Sequence, residues 1–561
     1  MTLLLMLGPV AAGLAGTLAP AFGYLPALGG DAFSLAPWRA LAETPGIARS
    51  AWLSLSTGLL STLLSLIIAL AIVAATQGTR SFALVSRALS PLLSLPHAAA
   101  AFGLAFLIAP SGWIMRWLSP WATGLDRPPD VLVVHDPAGL ALVAGLVAKE
   151  VPFLLLMTLA ALGQADARRA RLAALSLGYG PMAGWAKAVG PAVYRQIRLP
   201  VFAVLAYAMS VVDVAQILGP TTPPPLSVRL VEWMRDPDLA LRFKAAAGAV
   251  LQIGLVALAL GLWRLGEIAV ARLHRAWCWA GWRHAGDTAV RAAGGLAGLG
   301  LAGGMAVGLA GLAVWSVAGL WRFPDALPGT LTGRIWLREA GSILDPAATT
   351  CIIAGLAAAI ALALTVACLQ TEARRGTAHG NGVAAGRRAR GLWLLYLPLL
   401  VPQTGFLFGL QIAVSAAGLP PGLAVVTAAH LVFVLPYVFL SLSGPWRAWD
   451  TRLGVAAGAL GAGSAGVLWR VRLPMLAAPL LTAFAVGWAV SVGQYLPTLL
   501  LGAGRVATLT TEAVALAAGG DRRMIGVWAL VQALAPLPAF ALALGLPALI
   551  WRRRRGMTAA R

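Results

Sequence analysis

The chain has 561 residues, 59% of them hydrophobic and only 11% charged, with a net charge of +22 and a mean hydropathy of +0.82. Soluble domains carry about 45–50% apolar and about 25% charged residues. The composition therefore excludes a soluble globular protein, a disordered chain, a coiled coil and a disulfide scaffold together, and implies an all-α polytopic membrane protein.

The first apolar segment, 3–25, has no Lys or Arg before Arg39. A secretory signal needs a positive leading region, so this segment reads as a retained first helix. Further segments long and apolar enough to cross a bilayer follow near 51–75, 88–109, 138–162, 199–219, 245–263, 292–318, 346–369, 392–416, 423–443, 475–501 and 524–550. About twelve transmembrane helices are expected. Pro96, Pro152, Pro402 and Pro436 fall inside spans, where neighbouring helices can re-satisfy freed carbonyls. Cys278, Cys351 and Cys368 make no metal spacing and no disulfide framework, and no cofactor is expected.

Charge orients the spans. The loops at 76–87, 163–198, 264–291, 370–391, 444–474 and 551–561 hold 27 basic and 5 acidic residues, against 14 and 13 in the opposite loops. Such an excess marks the cytoplasmic side and places both termini inside. The basic residues are dispersed between spans, which excludes a nucleic-acid-binding patch and suits anchoring to anionic membrane lipid.

The chain also repeats itself. Pro96-x5-Phe102-Gly103-Leu104 matches Pro402-x5-Phe408-Gly409-Leu410, and Val151-Pro152-Phe153 matches Leu435-Pro436-Tyr437. From about 172 to 228 one ungapped offset of 283 pairs Gly178 with Gly461, Pro191 with Pro474, Leu218-Gly219 with Leu501-Gly502 and Leu226-Ser227 with Leu509-Thr510. Two parallel six-helix repeats, 1–263 and 292–561, are expected around a linker at 264–291. Its cluster of Trp277, Trp279 and Trp282 reads as an interfacial tether.

The loop between spans four and five is the most informative part. It reads Leu172-Ala173-Ala174-x3-Gly178 and then Pro191 in the first repeat, and Val455-Ala456-Ala457-x3-Gly461 and then Val471-Arg472-Leu473-Pro474 in the second. Gly-to-Pro spacing is 13 in both. Gly permits a backbone break between short helices, and Pro suits the start of the next segment. Trp185 and Lys187 in one copy, and Trp469 and Arg470 in the other, give the intervening turn aromatic and basic character.

This pattern resembles the Glu-Ala-Ala-x3-Gly-x9-Ile-x-Leu-Pro loop of binding-protein-dependent ABC importer permeases. The chain is most similar to the fused two-domain permeases of the ferric-iron and thiamine type, including an orphan enteric inner-membrane member. Leu172 and Val455 replace the family's Glu, and Ala188 and Gly190 weaken the first copy's ending. The resemblance implies a permease subunit in a bacterial inner membrane, coupled through these loops to a cytoplasmic ATP-binding subunit dimer and supplied by a periplasmic substrate-binding protein.

The chain's own lysines fit that division of labour. Lys149, Lys187 and Lys244 are followed by Glu150, Ala188 and Ala245, so no P-loop is present and no catalytic residue is expected. Gly461-x-Gly463-x-x-Gly466 matches a dinucleotide fingerprint by spacing alone, without a preceding strand. Asp213 and Gln216, with Gln494 and Tyr495 in the counterpart region, sit late in corresponding spans and are candidates for the translocation path. An ion-coupled secondary transporter is the alternative reading. A lipid-modifying enzyme would need a convergent acid and histidine cluster at one face, which the sequence does not offer.

Overall fold

The computed structural model describes residues 2–550 apart from 90, 91, 93, 165, 285 and 377–392. Most of the loop expected at 370–391 and the basic tail at 551–561 lie outside the described residues. The chain folds as helices, and two isolated bridges, Leu25 with Gly30 and Ala318 with Leu331, are the extended pairings among the described residues.

In chain order the helices used below are α1 (Thr2–Ala21), α2 (Ile47–Thr76), α3 (His97–Ile108), α4 (Leu140–Gln164), α5 (Ala167–Ser176), α6 (Gly190–Ser210), α7 (Asp213–Leu218), α8 (Leu226–Arg235), α9 (Leu241–Trp279) and α10 (Thr288–Val317). They continue with α11 (Arg334–Gly376), α12 (Gln403–Ala416), α13 (Leu423–Ala448), α14 (Thr451–Ala459), α15 (Ala477–Val492), α16 (Leu496–Gly502), α17 (Leu509–Ala515), α18 (Arg522–Leu534) and α19 (Leu537–Ile550).

Among the described residues nine helices are long and apolar enough to cross a membrane. Two sharply bent pairs, Trp393–Leu400 with α12 (87°) and Ser464–Met475 with α15 (74°), raise the number to eleven. The span expected at 199–219 differs in form. There α6 begins early, carries Arg195 and Arg198, and breaks at Val211–Val212 before α7. The sixth span also differs, since α9 runs unbroken past residue 263 to Trp279.

The first helix of each half of the chain packs across the molecule, α1 on α12 and α10 on α3. This explains the repeated Pro-x5-Phe-Gly-Leu. Pro96 and Pro402 each stand just before the helix, as N-cap of α3 and α12. Phe102 and Phe408 are buried. Gly103 meets Gly308, and Gly409 meets Gly13 and Gly16, so that no side chain separates the backbones. Thr17 closes the second crossing by accepting the Gly409 N–H at 3.1 Å. The largest apolar core draws on both halves of the chain, with Phe106, Trp315, Phe406 and Phe433 among its members.

A helix broken inside a bilayer exposes carbonyls that water cannot reach. Here the second matched dipeptide repairs the break. Ser227, on α8, donates to the Val211 carbonyl at 2.8 Å, and Thr510, on α17, donates to that of Val492. Gln252 donates to the Met209 carbonyl at 2.8 Å, while Gln532 donates to Thr510 at 2.8 Å. The N–H groups of Leu226 and Leu509 are satisfied by Ser54 and Thr350.

Candidate functional site

The two loops share one order of turns. A helix, α5 or α14, ends with Gly178 or Gly461 in the left-handed region at φ +79° and +84°. The closing bonds match across the offset: Gly178 and Tyr179 donate to Leu175 and Ala174, and Gly461 and Ala462 donate to Gly458 and Ala457. A short helix follows, Pro181–Gly184 or Ser464–Gly466, and then a π-helical turn, Trp185–Val189 or Val467–Arg472. Pro191 lies in the first turn of α6, and Pro474 in a helical turn, Leu473–Met475, just before α15. A π turn inserts one residue into the helical ladder and recurs at functional sites.

The inner faces of both loops are anchored. Trp185 is buried and donates to Gln77 at 2.8 Å, beside the end of α2. At the second loop Arg472 lies 4.2 Å and 4.8 Å from the ring centres of Trp446 and Trp449 and donates to the Trp446 carbonyl and to Gln370. Below the first loop the Tyr194 hydroxyl donates to Glu267 at 2.6 Å, and Glu267 also pairs with Arg198 at 3.2 Å. Burial and that bond raise the pKa of the Tyr194 phenol.

The outer faces differ. Both loops expose a leucine beside the glycine, Leu177 and Leu460, and Ala173 and Ala456 are also exposed. Ala174 is buried and Ala457 half-buried. Trp469 is 69% exposed and Arg470 is exposed, whereas Lys187 donates to the carbonyls of Trp277 and Trp282 at 3.0 and 2.8 Å. The two tryptophans are one residue out of register, since Trp185 aligns with Leu468. Sequence pattern paired them by proximity, and that one-residue shift leaves Trp185 buried and Trp469 exposed.

Two of the four path candidates meet between the halves of the chain. The Tyr495 hydroxyl donates to Gln216 at 3.0 Å. Asp213 opens α7 just after the break and is buried. Gln494 is half-buried at the corresponding break, where its carbonyl accepts from Thr498. Around them stand further residues, of which the repeat pointed to Phe153 and Tyr437 but not to His97 or Glu150. His97 lies 3.6 Å from the buried Glu150 and 4.9 Å, ring to ring, from Tyr207. Phe153 meets Tyr437 across the halves at 6.4 Å. Lys149 points elsewhere and donates to the Leu92 carbonyl. Among the described residues no group of His, Cys, Asp and Glu has the geometry of a metal site.

No protein-family model matches the chain. It is 30% identical over 522 residues to the inner membrane ABC transporter permease protein YnjC of Escherichia coli (strain K12), an alignment covering 91% of this chain and 90% of that protein.

Proposed function

The chain belongs to the inner-membrane ABC transporter permeases, and from that premise we propose that it is the membrane subunit of an importer that moves a small solute from periplasm to cytoplasm. It is a non-catalytic, multi-pass subunit that works with ATP-binding subunits. Residues 1–263 and 292–561 act as two permease repeats joined by 264–291, with both termini cytoplasmic, lipid around the spans and a periplasmic binding protein delivering the solute.

One observation carries this reading: a loop of the same turn order, left-handed glycine and then π turn, is built twice at an offset of 283 and twice leads to a broken span. The π turns continue into α6 and, through one short turn, into α15. A displacement of either loop is therefore delivered through a helix to the break that holds Asp213 and Gln216, or Gln494 and Tyr495. ATP-driven closure of the partner dimer draws on the loops, and the bond between Gln216 and Tyr495 is then made or released as the halves move.

The test uses surface charges that leave the fold alone. Leu177 is 61% exposed and Leu460 is 89% exposed. Leu177→Glu with Leu460→Glu should abolish co-purification of the ATP-binding subunits while the chain remains monodisperse in detergent. Full retention of those subunits by the double variant overturns the assignment of the loops. Uptake that survives ATP depletion but collapses with an uncoupler overturns the ATP-driven mechanism.

A further inference from the structure

The linker sits on the first loop and not on the second. Asp287 is the N-cap residue of α10, yet its carboxylate makes no cap bond there. Its Oδ2 instead accepts from the backbone N–H groups of Met182 and Ala183. The Gly180 N–H donates to the Arg283 carbonyl at 2.9 Å. Lys187 reaches the Trp277 and Trp282 carbonyls and lies 4.6 Å from the Trp277 ring centre. In the second loop the corresponding N–H groups, of Gly463, Ala465 and Gly466, have no protein acceptor among the described residues.

The glycines record the same difference. Gly180 and Gly463 have ordinary φ values of −61° and −65°, which any residue adopts. A Cβ at Gly180 would run into the His284 carbonyl oxygen and the Asp287 carboxylate, whereas one at Gly463 would meet nothing within 4 Å. The linker, not the loop's own conformation, excludes a side chain at 180.

We infer that the linker is a clamp holding the first loop against its own helices, and that the ATP-binding partner makes its main contact on the face of the second loop that no described residue covers, from Gly463 to Trp469. This rests on reading the loops as ATPase contacts. The partner is the occupant because, among the described residues, the second loop is the same surface without an intramolecular cover, and because Leu460 and Trp469 expose apolar area there. The two ATPase contacts of this transporter are unequal by construction.

Hydrogen exchange on the purified full chain tests both statements. Amides of 180–189 should exchange at least tenfold more slowly than those of 463–472. Gly180→Ala should remove that difference by displacing the linker, and Gly463→Ala should leave the pattern of the free chain as it is. Adding the ATP-binding subunits should slow exchange chiefly at 463–472, with little further change at 180–189. Equal exchange of the two loops in the free chain, or insensitivity to Gly180→Ala, overturns the clamp. Equal protection of both loops by the partner overturns the inequality alone, and protection of neither overturns the reading of the loops while the free-chain result still judges the clamp.

Discussion

Gly409→Ala is the most demanding single change at the crossing of α1 and α12. A Cβ at 409 would fall onto the Gly13 carbonyl oxygen and within 2.6 Å of the Gly16 carbonyl carbon. All of these atoms are backbone, so relief requires the whole of α1 to move. Overpacking costs about 1–3 kcal/mol, and a purely backbone obstruction belongs at or beyond the top of that range. Replacing Gly by Ala in a helix returns about 1 kcal/mol through propensity, leaving a net loss of about 2 kcal/mol or more. The mirror change, Gly103→Ala, meets Gly308 at 3.2 Å and 3.3 Å. A shift of a few tenths of an ångström suffices there, and the propensity gain of about 1 kcal/mol cancels most of the cost. Thermal unfolding of the two variants in detergent should therefore show a clear fall for Gly409→Ala and almost none for Gly103→Ala. Equal effects, or the reverse order, would refute the claim that backbone contact between α1 and α12 is what the repeated glycine serves.

Thr510→Val should destabilise the chain by about 1–3 kcal/mol, the cost of leaving a buried acceptor unsatisfied, because it strips the Val492 carbonyl of its donor at the helix break. Thermal unfolding reads it. Trp185→Ala, which empties a buried site, should cost about 3–5 kcal/mol, whereas Trp469→Ala should change stability by less than about 0.5 kcal/mol and instead weaken ATPase binding at least tenfold in a titration with labelled subunits. Glu150→Gln and Asp213→Asn should each lower uptake by the assembled transporter at least tenfold while co-purification of its subunits is unchanged. Normal uptake by both would remove these carboxylates from the translocation path.

The parts legible in sequence are those set by local chemistry repeated twice. Long apolar runs announced the membrane helices, and the fixed glycine-to-proline spacing announced the loops, since a left-handed residue and a helix-starting proline are local requirements. The broken span at 199–219 was read as continuous because Val211 and Val212 are as apolar as their surroundings. What marks the break is the remote pair Ser227 and Thr510, whose matching was visible before its purpose was. His97 and Glu150 are far apart in sequence and meet only in the fold.

The linker marks a deeper limit of reading by repeats. Asp287 has a complete local explanation as an acidic residue before a helix, the arrangement that favours capping, and nothing local contradicts it. The structure spends that carboxylate elsewhere, on N–H groups 104 and 105 residues away. Comparison of the halves cannot find such a contact, because the segment that makes it lies between them. Both loops carry the repeated motif, while the unrepeated linker bonds to the first of them. One connecting segment thus makes the surroundings of two loops unequal among the described residues, without altering the motif that both carry.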